Sequence, residues 1–136
     1  MRFLLDTNIC IYIIKRQPPQ VLDKFRTLDL SDVGISSITV AELEYGAYKS
    51  QQTDRNRVAF NQFLIPLEIV PFDERATQTY GQLRSQLERQ GIVIGSMDML
   101  IASQAISLGL ILVTNNEREF SRIPDLVIEN WVAQSF

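Results

Sequence analysis

The chain has 136 residues, 46% of them hydrophobic, with 13 basic and 16 acidic side chains and a formal net charge of −3. That length supports one domain, 1–136, around one sizeable core, and no apolar run reaches the roughly 18 to 20 residues that span a bilayer. A single cysteine and no histidine exclude a disulfide framework, multi-cysteine metal sites, histidine-dependent triads, ribonuclease-type histidine pairs and zincin sites.

With no basic stretch and signal-type apolar region at its start, the sequence reads as cytoplasmic. In chain order, short β-rich runs alternate with helical patterns, the signature of an α/β fold with a parallel sheet. The first strand is Arg2 to Leu5 and carries the chain into Asp6-Thr7-Asn8. A helix from about Asn8 stops near Gln17, because Pro18 and Pro19 cannot continue it. Cys10 within it reads as a small core residue. A second helical stretch, Pro19 to Arg26, leads through a polar linker around Asp29 to Asp32 into a strand at Val33 to Ser36. The next helix begins around Ile38 and carries Glu42 early. The polar segment Gln51 to Arg57 feeds a helix predicted to bury Val58, Phe60, Phe63 and Leu64, closed by Pro66, and a strand follows at Leu67 to Phe72.

Asp73 is the predicted cap of a long helix in which Ala76, Tyr80, Leu83 and Leu87 recur at helical spacing until Gly91. After Ile92 to Ser96, another helix sets Met97, Leu100, Ile101, Ala105 and Leu108 on one face and ends at Gly109. Leu110 to Val113 is a buried strand, Thr114 to Asn116 its polar exit, Glu117 to Phe120 a short helical turn, and Val127 to Trp131 an edge strand.

Four acids fall at comparable junctions: Asp6 and Glu119 just beyond strand ends, Glu42 and Asp98 in first turns of helices. Open parallel sheets bind ligands outside the carboxyl ends of their strands, so these acids can converge there. Two carboxylates about 4 Å apart repel by roughly 4 kcal/mol at an effective dielectric near 20. A hard divalent cation such as Mg²⁺ or Mn²⁺ reverses that sign and suits hydrolysis of a phosphodiester without histidine. Each acid also has a plain reading. Asp6, Thr7 or Asn8 serves equally well as a helix cap. Thr39-Val40-Ala41-Glu42 fits a capping box. Asp98 complements a helix dipole, and Glu119 in Glu117-Arg118-Glu119 reads alone as a solvated residue. The joint occurrence shifts the balance toward metal.

On these residues the sequence closely resembles the PIN-domain toxins called VapC. The resemblance runs through LLDTN at 4–8, ISSITVAELEYGA at 35–47, GSMDMLIASQA at 95–105, LVTNNEREF at 112–120 and IENW at 128–131. It implies a three-layer α/β/α PIN fold, a homodimer, and a Mg²⁺-dependent endoribonuclease in which Mn²⁺ substitutes. Asp6, Glu42, Asp98 and Glu119 are the implied catalytic acids, with Asp6, Asp98 and Glu42 on the metal and Thr7 and Asn116 beside them. Many members carry T-N-D-x-D-F where this chain has Thr114-Asn115-Asn116-Glu117-Arg118-Glu119-Phe120, so either Glu119 or Asn116 fills the fourth position. The resemblance further implies a VapB antitoxin whose C-terminal segment occupies the toxin groove and whose N-terminal domain binds operator DNA, products with a 5′-phosphate and 3′-hydroxyl, and, for some members, initiator tRNA as substrate.

The acidic balance is local, since taking the four site acids from the 16 leaves 12 against 13 basic residues. Lys15, Arg16, Lys24, Arg26, Lys49, Arg55 and Arg57 are candidates to frame an RNA groove, and Tyr45 and Tyr48 either contact a partner or pack. An aspartate phosphatase would need D-x-D-x-T, where position 8 is Asn. A receiver domain would need a late lysine, and none follows Lys49. The alternative is a catalytically impaired PIN-fold RNA- or protein-binding module, its metal site weakened at Asn116.

Overall fold

The computed structural model describes residues 1–132. Five strands, β1 (Phe3–Leu5), β2 (Val33–Ser36), β3 (Glu68–Val70), β4 (Ile111–Val113) and β5 (Ile128–Glu129), form one sheet. Their order is β3-β2-β1-β4-β5, and every neighbouring pair is parallel. The helices are α1 (Thr7–Lys15), α2 (Pro19–Arg26), α3 (Ser37–Lys49), α4 (Thr53–Leu64), α5 (Glu74–Arg89), α6 (Ser96–Leu108) and α7 (Glu117–Phe120). The expected three-layer α/β/α arrangement is the one found.

Strand alternation divides the core between the two faces. Phe3 and Leu5 of β1 join Ile9, Cys10, Val33, Ile35, Leu43 and Phe60 beneath α1, α3 and α4. Leu4 points the other way, into Leu83, Leu87, Met99, Ile101, Leu112 and Phe120 beneath α5 and α6. Trp131 closes the first cluster, edge-on to Phe3 with ring centroids 5.8 Å apart. At Gly34 a Cβ would displace the end of the Met1 side chain and crowd Val70 at 3.1 Å, so the second face is closely packed there. Arg75 at the start of α5 donates to the Ser107 carbonyl near the end of α6, which makes the two helices an antiparallel pair.

Several boundaries and faces differ from expectation. The first helix ends at Lys15, because Arg16 turns left-handed (φ 60°) and its N–H closes on Tyr12 and Ile13. The cap of α3 is Ser36, whose hydroxyl accepts from Ile38 N. The Thr39-x-x-Glu42 capping box is therefore not formed: Thr39 lies inside the helix, buried, its hydroxyl without a partner among the described residues. Glu42 consequently sits in the second turn of α3. Val58 is 57% exposed, since α4 buries Phe60 and Leu64 and half-buries Phe63. On α6, Met97 and Leu108 are exposed and the inward face runs through Met99, Ile101, Ala102 and Ala105. Tyr45 and Tyr48 do not pack either; they stand out at 67% and 63% exposure, beneath Lys49 and Arg57 respectively. Asp73 caps α5 through Ala76 N as expected, and Gly91 and Gly109 take the left-handed conformations that end α5 and α6.

Candidate active site

The sheet order reverses direction at β1, which has β2 on one side and β4 on the other, and such a reversal opens a crevice at the carboxyl ends. Register puts Leu5 opposite Ile35 and Val113, so the next row is Asp6, Ser36 and Thr114. Asp6 is thus carried to the crevice by the central, fully buried strand of the sheet. It is 6% exposed, and its Oδ1 accepts from Ile9 N at 2.9 Å. Capping and presentation at the crevice are therefore simultaneous roles of one carboxylate.

The remaining acids reach the same edge from three helices. Glu42, half-buried on α3, accepts a 2.5 Å hydrogen bond from the Thr7 hydroxyl at the start of α1. Asp98 lies in the first turn of α6. Glu119 on α7 accepts from Gly95 N at 2.9 Å through one oxygen and from Asn116 Nδ2 at 2.9 Å through the other. A methyl at Gly95 would lie 3.7 Å from Asp98 Oδ2 and 3.9 Å from Glu119 Oε1, which places those two acids side by side.

Electrostatics express the convergence. Burial raises the Asp6 carboxyl to about 6, helped by the charge of Glu42 and opposed by hydrogen bonds from Thr114 and Ile9. Asp98 is also raised to about 6, first by burial and then by the charges of Glu119, Glu42 and Asp6. All four acids are therefore coupled in one field. Among the described residues, the ion pairs are Arg2–Asp32, Arg57–Glu44 and Arg84–Glu88, so no cationic side chain neutralises the cluster.

The donor set is wholly oxygen, which fits a hard cation rather than zinc or copper. As the side chains stand, no three acidic groups among the described residues close into one metal-gripping set. Thr7 holds Glu42, while Gly95 and Asn116 hold Glu119. Asn116 turns its amide N–H to Glu119, so the two candidates for the fourth position are partners, with Glu119 supplying the charge. Sequence reasoning missed Thr114 and the Gly95 amide. Thr114 becomes visible only when β4 is placed beside β1, and a backbone N–H has no sequence signature.

Next to Glu42, α1, α3 and α4 enclose a groove of about 340 Å³ lined mainly by Ile11, Ile14, Leu43, Ala47 and Phe60, with Lys15 at its rim. Asn115, Tyr12 and Asn130 form a hydrogen-bonded polar rim on the β4–β5 side.

An open parallel sheet with uncompensated carboxylates at its reversal point is the arrangement of a PIN domain, and the PIN domain model matches residues 3–126. The chain is 46% identical over 132 residues to ribonuclease VapC2 of Rickettsia felis, covering 96% of this chain and 98% of that one. It is 45% identical over 131 residues to the tRNA(fMet)-specific endonuclease VapC of Salmonella typhimurium, again covering 96% and 98%. The crystal structure of VapBC2 from Rickettsia felis, bound to a DNA fragment from its promoter, superposes with a TM-score of 0.90 at 44% identity, covering 96% of this chain and 99% of that chain. The chain therefore belongs to the VapC ribonucleases of the PIN-domain family. Divalent-metal dependence is general in that family.

Proposed function

We propose that the chain is the toxin of a VapBC-type pair, a Mg²⁺-dependent endoribonuclease that acts as a homodimer and accepts Mn²⁺ in place of Mg²⁺. The observation that carries this reading is the field shared by Asp6, Glu42, Asp98 and Glu119 at the sheet's reversal point, with no cationic side chain paired to it among the described residues. Asp6, Glu42 and Asp98 would hold the ion, with Glu119 at its margin. A bound divalent cation supplies Lewis-acid polarisation of a phosphoryl oxygen and favours ionisation of an attacking water.

The chain's own residues determine where that chemistry takes place. Asp6 is fixed by the Ile9 amide and kept from solvent, so its ionised form is costly until a cation compensates it. Thr7 orients Glu42 through one oxygen, leaving the other for a ligand. Gly95 and Asn116 clamp Glu119 beside Asp98. Water attack in line on phosphorus, with the P–O3′ bond breaking and the departing 3′-oxygen taking up a proton, would leave a 5′-phosphate and a 3′-hydroxyl.

The proposed substrate is initiator tRNA, supported by the name of the Salmonella relative. The proposed neutralising partner is a VapB-type antitoxin, supported by the Rickettsia complex, with operator DNA reached only through that antitoxin. The apolar groove beside Glu42 is the surface where a VapB segment would sit, since it joins the acid site and offers Lys15 at its rim.

Purified antitoxin-free protein and its Asp98→Asn variant are incubated with total tRNA in Mg²⁺ or in EDTA, and product ends are mapped. Discrete cuts made only by the wild type with metal, ending in 5′-phosphates, are expected. Equal cleavage by Asp98→Asn removes the assignment. A folded protein that binds neither Mg²⁺ nor Mn²⁺ by calorimetry and cuts nothing is instead a binding module.

A further inference from the structure

We propose that the pocket on the far side of Glu119 is a nucleotide subsite in which Arg118 and Arg122 hold an RNA phosphate adjacent to the one being cut. The proposal rests on the ribonuclease reading above and adds a substrate contact to it. The pocket, about 360 Å³, lies between the chain leaving α5 and the short α7 and is lined by Val93, Asn116, Arg118, Glu119 and Arg122. Such a volume, at the low end of the roughly 300 to 1,000 Å³ of small-ligand sites, suits a single nucleotide. Glu119 belongs both to this pocket and to the acid cluster, so a strand crossing the cluster reaches the pocket within a nucleotide step.

Charge favours that route. The acid cluster repels an RNA backbone, so affinity has to come from cations beside it. Of the basic residues expected to frame a groove, Arg57 is already paired with Glu44. Arg118 is exposed and makes no ion pair or hydrogen bond among the described residues. Arg122 donates one N–H to the Val93 carbonyl, which steadies its guanidinium and leaves further N–H groups for a ligand. Glu119 forms no ion pair with either arginine among the described residues; its two oxygens accept hydrogen bonds from Gly95 and Asn116 instead. Two guanidinium forks match a phosphate, the anion RNA repeats at every nucleotide. Val93, 84% exposed, offers an apolar surface at the same pocket, where a base can lie.

The test uses a fluorescein-labelled single-stranded RNA of about 12 nucleotides, with anisotropy measured in EDTA across a salt series and steady-state cleavage measured in Mg²⁺. Arg118→Ala breaks no bond in the structure. It should reduce the slope of log affinity against log salt by about 0.7, the contribution of one phosphate on a single strand. KM should rise on the order of tenfold with kcat held within about twofold, as for a contact made equally in ground and transition states. Arg118→Lys should restore the slope but only part of the KM, because it keeps the charge and loses the fork. Adding Arg122→Lys to Arg118→Ala keeps the second charge and should leave the slope at the single-variant value. Arg75→Ala, at the start of α5 beside the end of α6 remote from Asp98, should change neither quantity. If Arg118→Ala binds with the wild-type slope and KM, the subsite is overturned while the ribonuclease stands, whatever happens to antitoxin affinity. The subsite is likewise overturned if Arg75→Ala weakens binding as much as Arg118→Ala does. Wild-type protein that neither binds nor cuts RNA overturns both readings.

Discussion

Replacing Asp6 by Asn should make the metal-free protein more stable, and by an amount that depends on pH. The Asp6 carboxyl is raised from 3.8 to about 6, a rise corresponding to about 3 kcal/mol. Below pH 3.8 the group is protonated in both folded and unfolded chains, so it imposes no penalty. Between there and about 6 the unfolded chain ionises while the folded one holds its proton, and stability falls as pH rises. Above about 6 the folded state carries the full cost of a buried charge. Asn keeps an oxygen for the Ile9 amide and is an equally good cap, although rearranging the Thr114 hydrogen bond costs about 1 kcal/mol. In EDTA, urea denaturation should therefore show the variant about 2 kcal/mol more stable than wild type at pH 8, with a change of about 2.5 kcal/mol in that difference between pH 4 and pH 8. Mg²⁺ should then stabilise the wild type and leave the variant unmoved. Asp98 titrates in both proteins; in the variant its upward shift loses the contribution of the Asp6 charge and keeps those of burial, Glu119 and Glu42. A stability difference that stays flat from pH 4 to pH 8 would refute the reasoning, because the raised Asp6 carboxyl is its main source.

Thr7→Val removes the hydroxyl that holds Glu42, and kcat should fall about 10- to 100-fold, roughly 1.4 to 2.7 kcal/mol in the barrier, while thermal unfolding moves little. Asn116→Asp sets a second negative charge against Glu119 in place of a donor. In EDTA at pH 8 its melting temperature should drop, and calorimetry should show tighter Mg²⁺ binding than in wild type. Trp131→Ala deletes the largest fully buried side chain, 1% exposed and edge-on to Phe3. Denaturation should register a loss of about 3 to 5 kcal/mol.

Elements whose local chemistry agrees with their tertiary role were readable from sequence. The Pro19–Arg26 helix and the Val33–Ser36 strand have their predicted limits, because a proline start, a turn and a β-branched run act within a few residues. Asp73 at the start of α5 is the same kind of local signal. The misreadings arose where a long-range partner decided the outcome. Thr39 and Glu42 have capping-box spacing, yet Ser36 emerges from β2 one turn earlier and takes the cap, freeing Glu42 to meet Thr7. Met97 and Leu108 follow helical spacing on α6, but Gln104 is drawn inward instead, its side-chain N–H groups donating to the Val70 and Pro71 carbonyls.

The sequence by itself determined the alternation that makes a parallel sheet, the carboxylates at the ends of its elements, and an oxygen-only chemistry in a chain without histidine. Those properties are composition and short-range order, which a linear chain carries explicitly. Only the tertiary structure decided that β4 lies beside β1, so that Thr114 meets Asp6, that Gly95 and Asn116 clamp Glu119, and that Arg118 and Arg122 face the pocket beyond it. These pairings join residues as far apart as 6 and 114, and their partners are selected by how two faces of one sheet bury their side chains.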